Sequence, residues 1–152
     1  AGTSAASHSV TIAVSEINEL SISGGNITVT ISTATAGSLP NAASNTATSL
    51  NWTANASTGP ATTRTITALL SSAYTSGIVL KVTLAATCTS GSTAGTSQGQ
   101  KTLSTAASTL ITGLSNEFCS GATLTYQGSL TSMFPFTTSE TKTVTLTLAD
   151  DA

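Results

Sequence analysis

The sequence predicts an all-β chain folded as a single β-sandwich, Ig-like or jelly-roll-like, with about eight or nine strands and an extended N-terminal strand. Three observations carry that expectation. Ser and Thr make up more than a third of the 152 residues, and Thr, being β-branched, fits a pleated surface better than a helix. Apolar and polar residues alternate from one end of the chain to the other, whereas no stretch keeps the i, i+3, i+4, i+7 spacing of a helix beyond a turn or two. Gly- and Ser-rich punctuation separates the alternating runs.

The first run, His8-Ser9-Val10-Thr11-Ile12-Ala13-Val14, puts three aliphatics on one face and small or polar residues on the other. Residues 20–23 form a shorter candidate that ends at Gly24-Gly25, and Asn26-Ile27-Thr28-Val29-Thr30-Ile31 then alternates again. Weaker candidates are 48–54, 64–70, 78–85, 109–114 and 123–130, and Thr143-Val144-Thr145-Leu146-Thr147-Leu148 closes the series. Ser57-Thr58-Gly59-Pro60 and Ser90-Gly91-Ser92-Thr93-Ala94-Gly95 read as turns, and 91–100 as a surface loop. Ser104 can cap one helical turn, but Ala107 stands where Glu or Gln would complete a capping box, so 104–108 is read as loop. With no internal repeat and no linker, residues 1–14 are an N-terminal extension and 15–152 one sandwich domain.

Composition narrows the function classes. Charged residues are 7% of the chain, against about 25% in an ordinary soluble domain, while 39% hydrophobic residues are enough to build a core. The formal net charge is −2, and Arg64, Lys81, Lys101 and Lys142 are the only bases. They form no basic patch in the sequence, so nucleic acid is not an expected partner. No apolar run approaches the ~18 residues of a membrane-spanning helix.

Cys88 and Cys119 read first as one disulfide, with two buried free thiols as the alternative. The chain begins at Ala1 in a stretch of small residues that looks like a signal-peptidase product, a trimmed chain being the alternative. Secretion, to an extracellular or cell-surface location, is the expectation.

Groups able to carry chemistry are few. His8 is the single histidine and precedes the one Gly-x-Ser-x-Gly match, Gly95-Thr96-Ser97-Gln98-Gly99, whereas a nucleophile elbow needs a strand before it, a helix after it and a histidine later in the chain. Glu16 with Glu19, and Asp150 with Asp151, are the only acidic clusters and read as solvated charges rather than a calcium site. One histidine and two cysteines 31 apart match no zinc pattern. No catalytic residue, metal or cofactor is assigned, and the chain is not expected to be an enzyme.

Three sequons are present, at Asn26, Asn51 and Asn55, so glycans are possible partners, and outward Ser and Thr could carry O-linked sugars. Trp52 is expected in the core, with Asn51 and Thr53 facing outward. The alternative function is a secreted adhesin or carbohydrate-binding module, for which Tyr74, Tyr126 and the Phe134-Pro135-Phe136 segment beside Met133 are the available contacts. That last cluster reads rather as a plug at one end of the sandwich.

The run His8-Ser9-Val10-Thr11-Ile12-Ala13-Val14 through Glu16-Ile17-Asn18-Glu19-Leu20, followed by 22–31, resembles the small secreted pilin-like fibre subunits of prokaryotes, β-sandwich proteins that assemble by donor-strand complementation. The likeness lies in length, Thr-rich alternation and the extended N-terminal strand. It implies that the N-terminal strand of one subunit fills a groove in the next, adding main-chain hydrogen bonds and seating alternate side chains in pockets. The donor would be residues 7–14, with Val10, Ile12 and Val14 inserted. The alternative is pairing within the chain's own sheet. The resemblance thus implies a homo-oligomer of head-to-tail copies, which propagates as a filament when the contact does not close.

Overall fold

The computed structural model describes residues 2–56 and 63–150. Among them there is no helix, and ten strands form two antiparallel sheets around a common core. In chain order these are β1 (Asn18–Ser23), β2 (Ala43–Ala54), β3 (Arg64–Leu70), β4 (Ile78–Leu84), β5 (Ser90–Gly91), β6 (Thr96–Ser97), β7 (Lys101–Thr102), β8 (Ser108–Leu114), β9 (Glu117–Leu130) and β10 (Val144–Asp150). One sheet runs β1-β2-β9-β4-β7 with β5 also on β9, and the other runs β10-β3-β8-β6. The chain is an all-β sandwich. The predicted turn at 57–60 lies outside the described residues.

Period-two burial builds the core. In β3, Arg64, Ile66, Ala68 and Leu70 are buried while the residues between them are half-exposed. Leu50, Trp52, Leu84 and Leu124 from the first sheet meet Ile66, Leu70, Leu110 and Leu114 from the second. The β3–β8 register steps from Ile66↔Ile111 to Thr67↔Thr109, leaving Leu110 as an extra residue. That bulge turns the neighbours Leu110 and Ile111 both into the core. The length of β9 has a similar local reason: one part of its edge pairs with β4 at 124–130, and another with β5 at Cys119 and Ser120.

Two of the clearest alternating runs form no strand. Residues 8–14 lie outside both sheets, and 26–31 passes Gly24 without joining a ladder. Gly24 has φ +115°, and a Cβ there would lie 2.7 Å from the Ala47 carbonyl oxygen, so the chain turns here where a side chain would collide with β2. Beyond the turn Ile27 and Val29 pack against the core, and Val29 closes over Gly128. Alternation therefore survives in 26–31 as half-buried against exposed, without sheet pairing.

Candidate functional site

Residues 2–17 precede β1 and are exposed throughout. The aliphatic face expected of 8–14 is present and open to solvent: Val10 is 74%, Ile12 89% and Val14 78% exposed. Pairing within the chain's own sheet, the alternative left open by the sequence, does not occur among the described residues.

The arm is fixed at its root. The Ile17 N–H donates to Asn55 Oδ1 (2.6 Å), the Asn55 N–H to the Ile17 carbonyl (3.0 Å), and Asn55 Nδ2 to the Ser15 carbonyl (2.8 Å). Beside them Arg64, 2% exposed, points its guanidinium into the root. It ion-pairs with Glu16 (3.5 Å) and Asp150, and donates to Asn18 Oδ1 (3.0 Å) and the Asn55 carbonyl (3.1 Å). A buried guanidinium is tolerable only when paired and hydrogen-bonded in this way. In the sequence Arg64 stands out only as a base and as the first residue of the strand candidate 64–70. The available signal was its phase, since it shares the inward face of β3 with Ile66, Ala68 and Leu70.

β1 and β10 are each an outer strand of their sheets and lie next to each other. In β10, Val144, Leu146 and Leu148 are half-buried against the core and Thr145 and Thr147 exposed. The pattern is the one predicted for this run, on a strand paired along one edge only.

Cys88 and Cys119 are disulfide-bonded, with Cα atoms 5.3 Å apart. Trp52 is buried, and its Nε1–H donates to Glu117 Oε1 (2.9 Å). Glu117 also accepts from Thr93 Oγ1 (2.7 Å) and, through Oε2, from the N–H groups of Ala94 (2.8 Å) and Ser115 (3.4 Å). Nothing in the sequence marked this carboxylate, which joins β9 to β2 and to the loop before β6.

The three sequons fare differently. Asn51 Nδ2 donates to Ser21 Oγ (3.2 Å) and Ser23 Oγ (3.0 Å), and Oδ1 accepts from Gly121 N–H (2.9 Å) and Ser120 Oγ (3.3 Å), so its amide is engaged in tying β1 and β9 to β2. Asn55 is engaged at the arm root, and the Ser57 of its sequon lies outside the described residues. Asn26 is exposed.

Of the residues of the Gly-x-Ser-x-Gly match, Ser97 donates through Oγ to the Leu84 carbonyl (2.6 Å), and His8 is on the exposed arm. Glu16 is used by Arg64, as is Asp150, while Asp151 lies outside the described residues. No group of three or more His, Cys, Asp or Glu is placed to hold a metal among the described residues. Among the described residues no helix is long and apolar enough to cross a membrane. Tyr126 is buried in the core, which removes it from the candidate binding contacts, and burial pushes its phenol pKa up. The plug expected of 133–136 is not formed: Phe134 is half-buried beside Gly77 outside the core cluster, and Met133 and Phe136 are exposed.

Comparison with protein-family models, with curated proteins and with solved structures gives no match to this chain.

Proposed function

We propose that the chain is a structural subunit of an extracellular filament or pilus, polymerising when residues 7–14 of one copy insert into the sandwich of the next. The observation that carries this reading is the arm: three aliphatics at period two, each about three-quarters or more exposed, on a segment that, among the described residues, is held at its root. Burying such side chains is worth roughly 1.5–3 kcal/mol each, which gives a contact between copies a driving force that the isolated chain leaves unused. The disulfide supports export, because such bonds persist in oxidising compartments. If the chain is N-glycosylated, Asn26 is the sequon asparagine whose side chain is exposed.

Negative-stain microscopy tests the reading. Wild-type protein is expected to form filaments, and Ile12→Asp to remain monomeric with a thermal midpoint close to wild type, since residue 12 is 89% exposed and surface changes usually cost within about 0.5 kcal/mol. Filaments that persist in Ile12→Asp, or in a chain lacking residues 1–14, would sink the proposal.

One observation favours a second reading, a carbohydrate-binding module. Phe118 is 57% exposed beside a shallow depression of ≈ 290 Å³ that Glu19, Ser21, Asn51, Thr53 and Ser120 also line. An aromatic face ringed by polar groups suits a sugar. A glycan screen with the Phe118→Ala variant distinguishes it: this reading requires saturable binding that the variant loses, and the filament reading requires none.

A further inference from the structure

We infer that the acceptor for the arm is the free edge of β10; the inference rests on the filament reading and names the surface that reading leaves unspecified. It follows from the parity of the ladder. The Ser71 N–H donates to the Thr143 carbonyl (2.9 Å), and the β10–β3 register continues this pairing through Val144↔Leu70. In an antiparallel ladder successive residues direct their backbone groups to opposite sides. Thr145, Thr147 and Ala149 therefore face β3, and the N–H and C=O groups of Val144, Leu146 and Leu148 face outward. No hydrogen bond to those groups occurs among the described residues.

Those same three residues carry the apolar side chains of β10, half-buried against the core. The edge thus combines unpaired backbone groups with aliphatics that another strand could finish covering, a combination native proteins usually block with charge, proline or a bulge. The edge has none of these between Val144 and Leu148. Strands paired side by side place opposite residues on the same face, so a donor whose inward residues are Val10, Ile12 and Val14 matches Val144, Leu146 and Leu148 one for one. Whether the donor runs parallel or antiparallel, the middle residues, Ile12 and Leu146, fall opposite each other.

The other outer strands are less suited: β6 and β7 are two residues long and cannot match three alternate donor side chains, which leaves β1. By the same parity, set by the Asn55 N–H to Ile17 carbonyl bond, the outward backbone groups of β1 belong to Asn18, Leu20 and Ile22. Asn18 is polar and holds Arg64, which leaves two apolar positions for three donor side chains. The occupant of the β10 edge is therefore a second copy of this chain, contributing its arm.

The test uses full-length Ile12→Asp, whose own arm cannot donate, titrated with a synthetic peptide of residues 4–15 and followed by amide hydrogen exchange. Binding that slows exchange at Val144, Leu146 and Leu148 by about tenfold or more is the expected result. Protection at Asn18, Leu20 and Ile22 instead overturns the acceptor while leaving the donor arm standing. Absence of any peptide binding overturns the filament reading itself. A second measurement is independent of the peptide: mixing Ile12→Cys with Leu146→Cys copies under mild oxidation is expected to give a mixed disulfide dimer. A dimer formed with Leu20→Cys copies and not with Leu146→Cys copies overturns the assignment.

Discussion

Replacing both Cys88 and Cys119 by Ala is expected to cost about 3.7 kcal/mol of stability, almost all of it through the unfolded chain. The bond spans 31 positions and so closes a loop of about 32 residues, for which loop-closure entropy is about −12 cal/mol/K, or ~3.7 kcal/mol at 25 °C. The native geometry near the bond has other supports. Thr89 donates to the Ser120 carbonyl through both its N–H (2.7 Å) and its Oγ1 (2.8 Å), and the Ser92 N–H donates to the Phe118 carbonyl (3.0 Å). Strand β5 stays paired to β9 through the same segment. The folded state should therefore keep its shape when the sulfurs are removed. Urea unfolding followed by the fluorescence of Trp52, which is paired with Cys119 across β2 and β9, is the assay. The midpoint should fall while the slope rises, because an unlinked chain exposes more surface when it unfolds. A loss below about 1 kcal/mol, or an unchanged slope accompanied by lost amide-exchange protection along β5 and β9 in the native state, would refute the reasoning by placing the effect in the folded structure.

Three further outcomes are expected. Glu117→Gln replaces one accepting oxygen by a donor that must face at least one N–H of Trp52, Ala94 or Ser115, none of which can accept, and should cost about 1.5–3 kcal/mol in urea unfolding, with the Trp52 emission shifted to the red. Thr48→Val removes a buried hydroxyl that has no hydrogen-bond partner and should leave stability unchanged or raise it by up to about 1 kcal/mol; a loss above 1 kcal/mol contradicts this. Burial raises the phenol pKa of both tyrosines, Tyr74 and Tyr126, so absorbance near 295 nm should show neither ionising at the ordinary value of about 10. The unfolded chain loses those protons first. The contribution to stability is therefore full below pH 10 and is lost as pH rises through the folded-state values.

Strands were legible in the sequence where alternation coincided with a core on one side. The run 64–70 is β3 residue for residue, and β4, β8 and β10 fall within two residues of their expected bounds. Alternation marks a face without naming what covers it, which is why 8–14 and 26–31 read as strands as strongly as β10 did. The early part of β2, Ala43-Ser44-Asn45-Thr46-Ala47, has no apolar alternation and pairs with β9 through its backbone, so nothing in its side chains announced it. The two-residue strands β5, β6 and β7 are too short to carry a period. Arg64 and Glu117 escaped notice because their roles depend on partners that the chain brings together from far apart: Arg64 meets Asp150, and Glu117 meets Trp52. The free edge of β10 could not be read either, since an unpaired backbone group is a property of topology and not of residue type.

The anchorage of the arm has a mechanical consequence. If tension is applied to residues 2–14, it enters the domain at Ser15, Glu16 and Ile17, where Asn55 at the end of β2 and Arg64 at the start of β3 hold the chain. The pull is thereby divided between both sheets from the outset, and Asp150 draws in the end of β10 as well. A thread sewn only to β1 would peel that strand from its neighbour one pair at a time. Here the load must first break the three hydrogen bonds to Asn55 together with the Glu16–Arg64 ion pair, so the arm is expected to tear loose at this root rather than along the seam.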